Sequence, residues 1–443
     1  MSRTGPLPTK LNRRQAFKAA AAAGAACFLP TIIPARVLGK DGATAPSERI
    51  TMAGIGIGGR GEFDLGWMLP EKDVQFLAIC DLRKSRRLAI KRKIDQHNGN
   101  SDCQMYPEIR EFLATRTDID AVLIATGDRW HSLAASLAMR AGKDVYSEKP
   151  SAMTVKEGRG VVETARRYGR IYQTGVQRLS EAHHVIAIEL ARQGRLGQIK
   201  TVRAHIAPWD AAEMSHAWLP AEPEPAKDVC DWDAWLGPCP WRPYNSTYVS
   251  GGWRNHYDFH TSCIGEWGAH TFAQAQAGID ASYTSGVEYH YVPNDSGDGM
   301  HVKFANGVTM VLERDRAGKI WHGSCGMKFE GTEGWASAAD SYSEPDLSNP
   351  ALLVAGKKLL AEYIERTGRP MSHVRNFLDC VKSRQQTVAN PDVMHRSMST
   401  VHAANVCMWL KRDVKFDPVK EEFVNDPEAN RFLVRAQREP WIL

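Results

Sequence analysis

The chain has 443 residues, 43% hydrophobic and 24% charged, a globular composition long enough for two or three domains with cores of their own. Its formal charge of +5 sits in the first 47 residues, where Arg3, Lys10, Arg13, Arg14, Lys18, Arg36 and Lys40 face only Asp41, so that residues 48–443 are close to neutral. A near-neutral body excludes the electrostatic footprint of a nucleic-acid-binding protein, and no stretch beyond the N-terminus has the length and apolarity of a membrane span.

The basic segment has a pattern. Asn12-Arg13-Arg14-Gln15-Ala16-Phe17-Lys18 precedes the Ala-rich run Ala19–Pro34. Adjacent arginines ahead of a weakly hydrophobic run predict a twin-arginine export signal over residues 1–35 and a periplasmic or otherwise extracytoplasmic address. Residues 36–47, with Gly39, Gly42 and Pro46, read as a flexible arm. The nine cysteines form no Cys-x-x-Cys pair; the Cys230 to Cys239 spacing permits a bridge in an oxidising compartment.

A first domain is expected over residues 48–174. Ile50–Ile55 is an apolar strand, followed by Gly56-Ile57-Gly58-Gly59-Arg60-Gly61 and a helical pattern of Phe63, Leu65, Trp67 and Met68. Gly56, Gly58 and Gly61 satisfy G-x-G-x-x-G in its strand–turn–helix context. They provide a tight turn, a close approach of backbone to a pyrophosphate and close helix–strand packing. A second strand, Val74–Cys80, ends at Asp81, where a carboxylate binds the adenosine ribose hydroxyls and favours NAD over NADP. Arg83, Lys84, Arg86 and Arg87 keep NADP possible, although most of that cluster reads as a solvated helix face.

Helices over Leu88–His97 and Ile109–Thr115 lead to a buried strand, Asp120–Thr126, and the loop Gly127-Asp128-Arg129-Trp130-His131. A helix to Ala141, a strand Asp144–Ser147 delivering Glu148-Lys149-Pro150, a helix Val155–Tyr168 and a strand Ile171–Thr174 complete the alternation. This is the pattern of an α/β Rossmann-type, doubly wound parallel sheet, whose ligands bind beyond the strand C-termini. The glycine loop, Asp81, Thr126–His131 and Glu148–Pro150 all fall at that rim.

The character changes near residue 175. A helix over Glu181–Gln193, a strand over Ile199–Ile206 and an aromatic, Pro-rich stretch around Trp232-Asp233-Ala234-Trp235 and Trp241-Arg242-Pro243-Tyr244 come next. Met300–Phe304 and Val308–Leu312, joined through Asn306-Gly307, read as a hairpin. Helices are expected over Leu352–Arg366, Val374–Ser383 and Pro391–Leu410. Residues 175–443 are therefore expected to form a C-terminal α+β domain with a mostly antiparallel sheet, the cleft between domains being the active site.

These residues resemble the Gfo/Idh/MocA family of sugar and inositol oxidoreductases. The resemblance rests on Gly56–Gly61 after the first strand, on Glu148-Lys149-Pro150 after the fifth and on Glu266-Trp267-Gly268-Ala269-His270 in the second domain. Exported members share the Trp-Leu-Gly-Pro and Trp-Arg-Pro-Tyr-Asn loop. The resemblance implies a tightly bound nicotinamide dinucleotide held by Gly56, Gly58, Gly59, Arg60, Gly61, Asp81, Thr126, Trp130, His131, Glu148, Lys149 and Gln177. It implies Lys149 and His270 as catalytic groups and a cis bond before Pro150. Glu266 stands where the family has aspartate and is taken as the orienting or substrate-binding carboxylate. Tyr257, Asp258 and Arg242 are the candidate substrate-binding residues. The implied partners are a small-molecule carbohydrate and further copies of the chain, associated through the C-terminal sheet; no metal is expected.

The residue types suit that chemistry. Oxidising a CH–OH group requires the hydroxyl proton to leave as hydride departs, which a histidine accepts and a lysine assists. Glu266 and His270, four apart, share a face if that stretch is helical. Three alternatives stand beside the dehydrogenase. One is a metal-dependent hydrolase or isomerase using His256, Asp258 and His260. A non-catalytic carbohydrate binder would use Trp209, Trp232, Trp235, Trp241 and Trp253. The third is a redox-neutral NAD-dependent glycosidase or lyase, since an exported enzyme meets no pool of free NAD.

Overall fold

Apolar, β-branched runs with glycine-rich ends produce the first sheet. The structure, a computed structural model, describes residues 44–206, 214–293, 299–312 and 325–443. The proposed export signal and Trp209 lie outside them. Residues 44–49 contribute one 3₁₀ turn, Pro46–Glu48, and Ile50–Leu443 form a compact unit of their own.

Strands β1 (Ile50–Ile55), β2 (Val74–Cys80), β3 (Gln104–Tyr106), β4 (Ala121–Ile124), β5 (Asp144–Ser147) and β6 (Tyr172–Thr174) alternate with helices α1 (Gly59–Met68), α2 (Lys84–Asn98), α3 (Ile109–Thr115), α4 (Asp128–Arg140) and α5 (Val155–Tyr168). The strands form one sheet of order β3-β2-β1-β4-β5-β6, with every pairing parallel. β4 and β5 are buried at every position, as strands covered by helices on both faces must be. Helix α2 begins four residues earlier than the apolar pattern indicates. Arg87 accompanies this: it is buried, donating to the Asp81 and Asp228 carbonyls at 2.5 and 3.0 Å, whereas Lys84 in the same turn stays exposed.

Helix α6 (Ala182–Arg192) leads into the second sheet. Its strands are β7 (Ile199–Ile206), then, after the short helix α7 (Trp232–Leu236) and the long helix α8 (Ser262–Gly278), β8 (Glu288–Val292), β9 (Gly299–Lys303), β10 (Thr309–Leu312), β11 (Cys325–Gly331), β12 (Trp335–Ala339) and β13 (Asp346–Leu347). Helices α9 (Ala351–Thr367), α10 (His373–Ser383) and α11 (Pro391–Leu410) come after them, then β14 (Val414–Asp417), β15 (Glu422–Phe423) and α12 (Pro427–Asn430). The nine strands are ordered β13-β12-β11-β7-β10-β9-β8-β14-β15. All described pairings are antiparallel except β10 with β7. The expected β9–β10 hairpin forms, with Gly307 at φ 86° in its turn.

Helices α6, α8 and α11 bury one face of the nine-stranded sheet through residues such as Ile186, Phe272 and Met398. Helix α10, late in the chain, instead covers the first sheet: Val374, Phe377 and Leu378 join Met52, Leu123 and Tyr146 in one core. Arg375 anchors it to Asp73 at 2.8 Å and Glu71 at 2.9 Å. Among the described residues no helix is long and apolar enough to cross a membrane. Cys230 and Cys239 stand as separate buried thiols.

Candidate active site

The rim of the first sheet opens into a cleft of about 410 Å³, bordered by the glycine loop, Asp81, Thr126–His131, Glu148-Lys149, Trp253-Arg254 and Glu266. The glycine loop fits a dinucleotide on local grounds. A Cβ on Gly59 would meet nothing within 4 Å, and one on Gly58 only the tip of Arg83 at 3.9 Å, so bare backbone at the start of α1 faces the opening. Gly56 has φ +66°, and a Cβ there would lie 2.4 and 2.7 Å from Thr126 Cγ2 and Cα. Gly61 packs against Ala125, where a Cβ would come within 2.6 Å. Gly56→Ala is therefore expected to weaken nucleotide binding at least about tenfold, or ~1.4 kcal/mol. Fluorescence titration of the purified protein with NAD checks this; unchanged affinity would remove the loop from the nucleotide site.

Asp81, at the end of β2, is buried, and one carboxylate oxygen accepts from the Arg83 amide at 2.8 Å. Burial raises its pKa against the opposing charge of Arg83. Arg83 and Arg86 also border the cleft. A buried carboxylate and two guanidinium groups thus stand at the same end of the cleft.

At the other end, Glu148 ties together three segments. Its Oε1 accepts from Gln177 Nε2 at 2.8 Å and Arg60 Nε at 3.3 Å, while Oε2 accepts from the Lys149 amide at 3.2 Å. Gly175 makes room, since a Cβ there would fall 2.2 Å from Oε1. Arg60 also meets Asp64 at 2.8 Å. Burial first and then the charge of Glu148 raise the Asp64 pKa, with Arg60, shared between the two carboxylates, acting to lower it. Gln177, which also reaches the Tyr146 hydroxyl at 3.1 Å, sets Glu148 from behind rather than lining the main cleft.

His131 is a clamp. Its Nε2 accepts from the Gly127 amide at 3.2 Å, so Nδ1 carries the proton donated to the Pro150 carbonyl at 2.8 Å. The β4 loop is thereby tied to the Lys149-Pro150 turn, whose bond is cis as the resemblance implied. Thr126 abuts Gly56, and Trp130 donates to the Trp235 carbonyl at 3.3 Å. Burial keeps His131 below the ordinary histidine value.

Lys149 projects from the end of β5 toward α8. Its Nζ is 3.9 Å from Glu266 Oε1 and 4.9 Å from the centre of the Trp267 ring. The Asn255 amide donates to His260 Nδ1 at 3.1 Å, which leaves the proton on Nε2 for Glu266 Oε2, also at 3.1 Å. Arg254 adds contacts to Glu266 at 3.2 Å. Burial acts to raise Glu266, but the His260 hydrogen bond and the charges of Lys149 and Arg254 hold it well below the usual carboxylate range. Glu266 is thus a fixed anion with Lys149 on its open side.

His270 lies one turn further along α8, buried and off the main cleft wall, with no partner on Nδ1. Burial first, then the charges of Arg178, Lys149 and Arg60, lower its pKa well below the histidine norm, so the ring is neutral and a weaker base than an ordinary histidine.

The proposed substrate-binding trio is not at the cleft wall. Arg242 is buried, ion-paired with Asp258 and lies 4.6 Å from the centre of the Phe259 ring. Tyr257 packs between His216 and Trp409, at ring distances of 4.8 and 5.6 Å. The physical reason is the aromatic cluster of Trp232, Trp235, Tyr248 and Phe259, which excludes water and leaves Arg242 and Asp258 to neutralise each other. The same packing separates the metal trio: Asp258 serves Arg242, His260 serves Glu266, and the His256 ring lies against Tyr248 at 5.0 Å. Arg254 is the site residue that sequence reasoning missed, and His260, read there as a candidate metal ligand, serves Glu266 instead. Neither belongs to a periodic pattern, and only a loop closing on the start of α8 brings them to Glu266.

The chain matches the profile of an oxidoreductase family's NAD-binding Rossmann fold over residues 49–176 and that of its C-terminal alpha/beta domain over 199–319 and 356–443. A glycosyl hydrolase family 109 protein of Shewanella baltica is 27% identical over 232 residues, which is 46% of this chain and 49% of that protein. An alpha-N-acetylgalactosaminidase of Bacteroides fragilis is 30% identical over 159 residues, 35% of this chain and 37% of its own. The chain thus spans about half the length, or less, of these curated relatives. Its fold is that of the WlbA dehydrogenase from Bordetella pertussis, solved with NADH and UDP-GlcNAcA: TM-score 0.61, 14% identity, covering 84% of this chain and 98% of that one. The glycine-loop domain and the domain carrying Glu266 and His270 are thus both matched, and the chain belongs to the Gfo/Idh/MocA oxidoreductase family.

Proposed function

We propose that the protein is an NAD(P)-dependent oxidoreductase acting on a CH–OH group of a sugar, polyol or glycoside. The observation that carries this reading is Lys149 beside the fixed anion Glu266, on the same cleft as the glycine loop. Backbone of Gly56–Gly59 and the carboxylate of Asp81 would hold the dinucleotide, with Arg83 able to admit a 2′-phosphate. The nicotinamide, when bound, supplies the hydride acceptor. Lys149 Nζ would hydrogen-bond the substrate oxygen and stabilise the charge it gains as its proton leaves. Glu266 keeps that ammonium oriented, and Trp253 and Arg254 narrow the opening beside it. His270, one helical turn beyond Glu266, would take the proton only as it leaves the substrate, because its surroundings disfavour a lasting positive charge on the ring. Export by a twin-arginine route, tight retention of the cofactor and association through the nine-stranded sheet belong to the same proposal.

The second reading, a redox-neutral glycosidase, is favoured by the similarity to family 109 glycosyl hydrolases. Cleavage next to an oxidised ring carbon needs a base beside the neighbouring C–H. Tyr257 is turned away, which leaves His270 or Glu266 for that task.

One experiment separates them. Full-length protein purified without added cofactor is assayed for released nucleotide and then offered carbohydrates with and without NAD. Net formation of reduced nicotinamide with a free sugar or polyol is the expected result. Bond cleavage by nucleotide that stays bound, with no net reduction, would replace the first reading by the second. Protein that neither carries nor binds a nicotinamide dinucleotide would sink both.

A further inference from the structure

Among the described residues, one set of three His, Cys, Asp or Glu side chains brings its ligand atoms within 4.8 Å of one another: Glu181, His183 and His184. Glu181 is the N-cap residue of α6, and the two histidines lie in its first turn. Successive helical side chains point roughly 100° apart. Here the two rings nevertheless converge, with centroids 4.2 Å apart. Their Nε2 atoms both approach Glu181 Oε2, His183 at 3.9 Å and His184 at 3.6 Å.

Those separations are too long for hydrogen bonds. They lie near the ~3.4 Å edge of a tetrahedron whose metal–ligand bonds are about 2.1 Å. The polar accounting points the same way. His184 is fully buried, and neither of its ring nitrogens has a hydrogen-bond partner of good geometry, although the Gln274 side chain acts on the ring; His183 Nε2 is also buried without one. A buried polar atom without a partner is costly unless something satisfies it. Arg178, the nearby cation, is ion-paired with Asp340, so its charge is answered.

We propose that Glu181, His183 and His184 form a binding site for a divalent transition-metal ion. Zinc is the occupant that two imidazoles and one carboxylate suit most simply, and a fourth position is left for water or another oxygen ligand. The site is separate from the Lys149–Glu266 cleft and does not depend on the redox reading, because metal content and nucleotide content are measured independently.

The test uses untagged full-length protein stripped with a chelator and titrated with Zn²⁺ by calorimetry, alongside Glu181→Gln and His183→Ala. These positions are chosen over the fully buried His184 so that folding survives, which melting curves in chelator verify. The expected result is about one equivalent of zinc per chain in the wild type, with affinity at least ~10-fold weaker in each variant. Wild-type protein that takes up no zinc at micromolar concentration overturns the proposal. So does zinc uptake that both variants retain, which would place the ion elsewhere.

Discussion

Lys149→Ala is expected to lower kcat by about 10³-fold while the protein keeps its nucleotide. The side chain is 10% exposed, and its ammonium is held between Glu266 Oε1 at 3.9 Å and the face of Trp267 at 4.9 Å. Truncation removes the cation that faces Glu266 from the end of β5, and with it the group that would answer charge on a substrate oxygen. The glycine loop and Asp81 lie at other points of the rim, so nucleotide retention is unaffected. Steady-state kinetics with nucleotide quantified in parallel checks this. Near-normal kcat with bound nucleotide would remove Lys149 from the chemistry, whereas loss of nucleotide would make it a cofactor ligand instead. Lys149→Arg is not expected to restore the rate, because a planar guanidinium cannot take the place of a compact ammonium in that gap.

Arg435→Met is expected to destabilise the fold by about 3–5 kcal/mol near neutral pH. Arg435 is ion-paired with Glu157 and donates to the Arg129 carbonyl at 3.0 Å, joining the end of the chain to α4 and α5. Glu157 is buried and also accepts from Ser132 Oγ at 2.7 Å and the Met153 amide at 3.2 Å. Without Arg435 a buried carboxylate keeps its desolvation cost and loses its counter-charge. The pH dependence has a definite sign. Burial would raise Glu157, but Arg435 and the hydrogen bonds bring it below its ordinary value of 4.5. The stability it contributes is therefore complete above about pH 4.5 and lost as pH falls through the lower folded value. The difference between wild type and variant, measured by denaturant unfolding, should be largest near neutral pH and shrink below about pH 4.5. An equal difference at both would show that Arg435 acts through packing alone.

The first sheet was legible because parallel strands covered on both faces are buried throughout, and β4, Ala121–Ile124, is an unbroken apolar run. The glycine loop was legible because its spacing answers local demands: a positive φ at Gly56 and close packing at Gly61. Glu266 and His270, four apart, share a face because the stretch that carries them is helical, the condition their spacing left open. The aromatic stretch misled because Arg242, Asp258 and Tyr257 have the composition of a binding surface. Whether such residues meet ligand or each other depends on what packs over them, and no local pattern records that. Helix α10 shows the same limit. Its amphipathic pattern predicts a helix with one buried face, yet the face it covers is the first sheet, through Val374, Phe377 and Leu378.

By itself, then, the sequence determined the strand–loop–helix units and which side chains and bare backbone reach the rim of the sheet: the glycine loop after β1, Asp81 after β2, Lys149 after β5. These depend on interactions between residues near one another in the chain. Tertiary structure decided the partners. It set His260 and Arg254 on Glu266, turned Arg60 to Glu148, used His131 as a clamp and brought Glu181, His183 and His184 together. Charge neutralisation and exclusion of water act across space, so a carboxylate's role depends on which cation the fold places beside it.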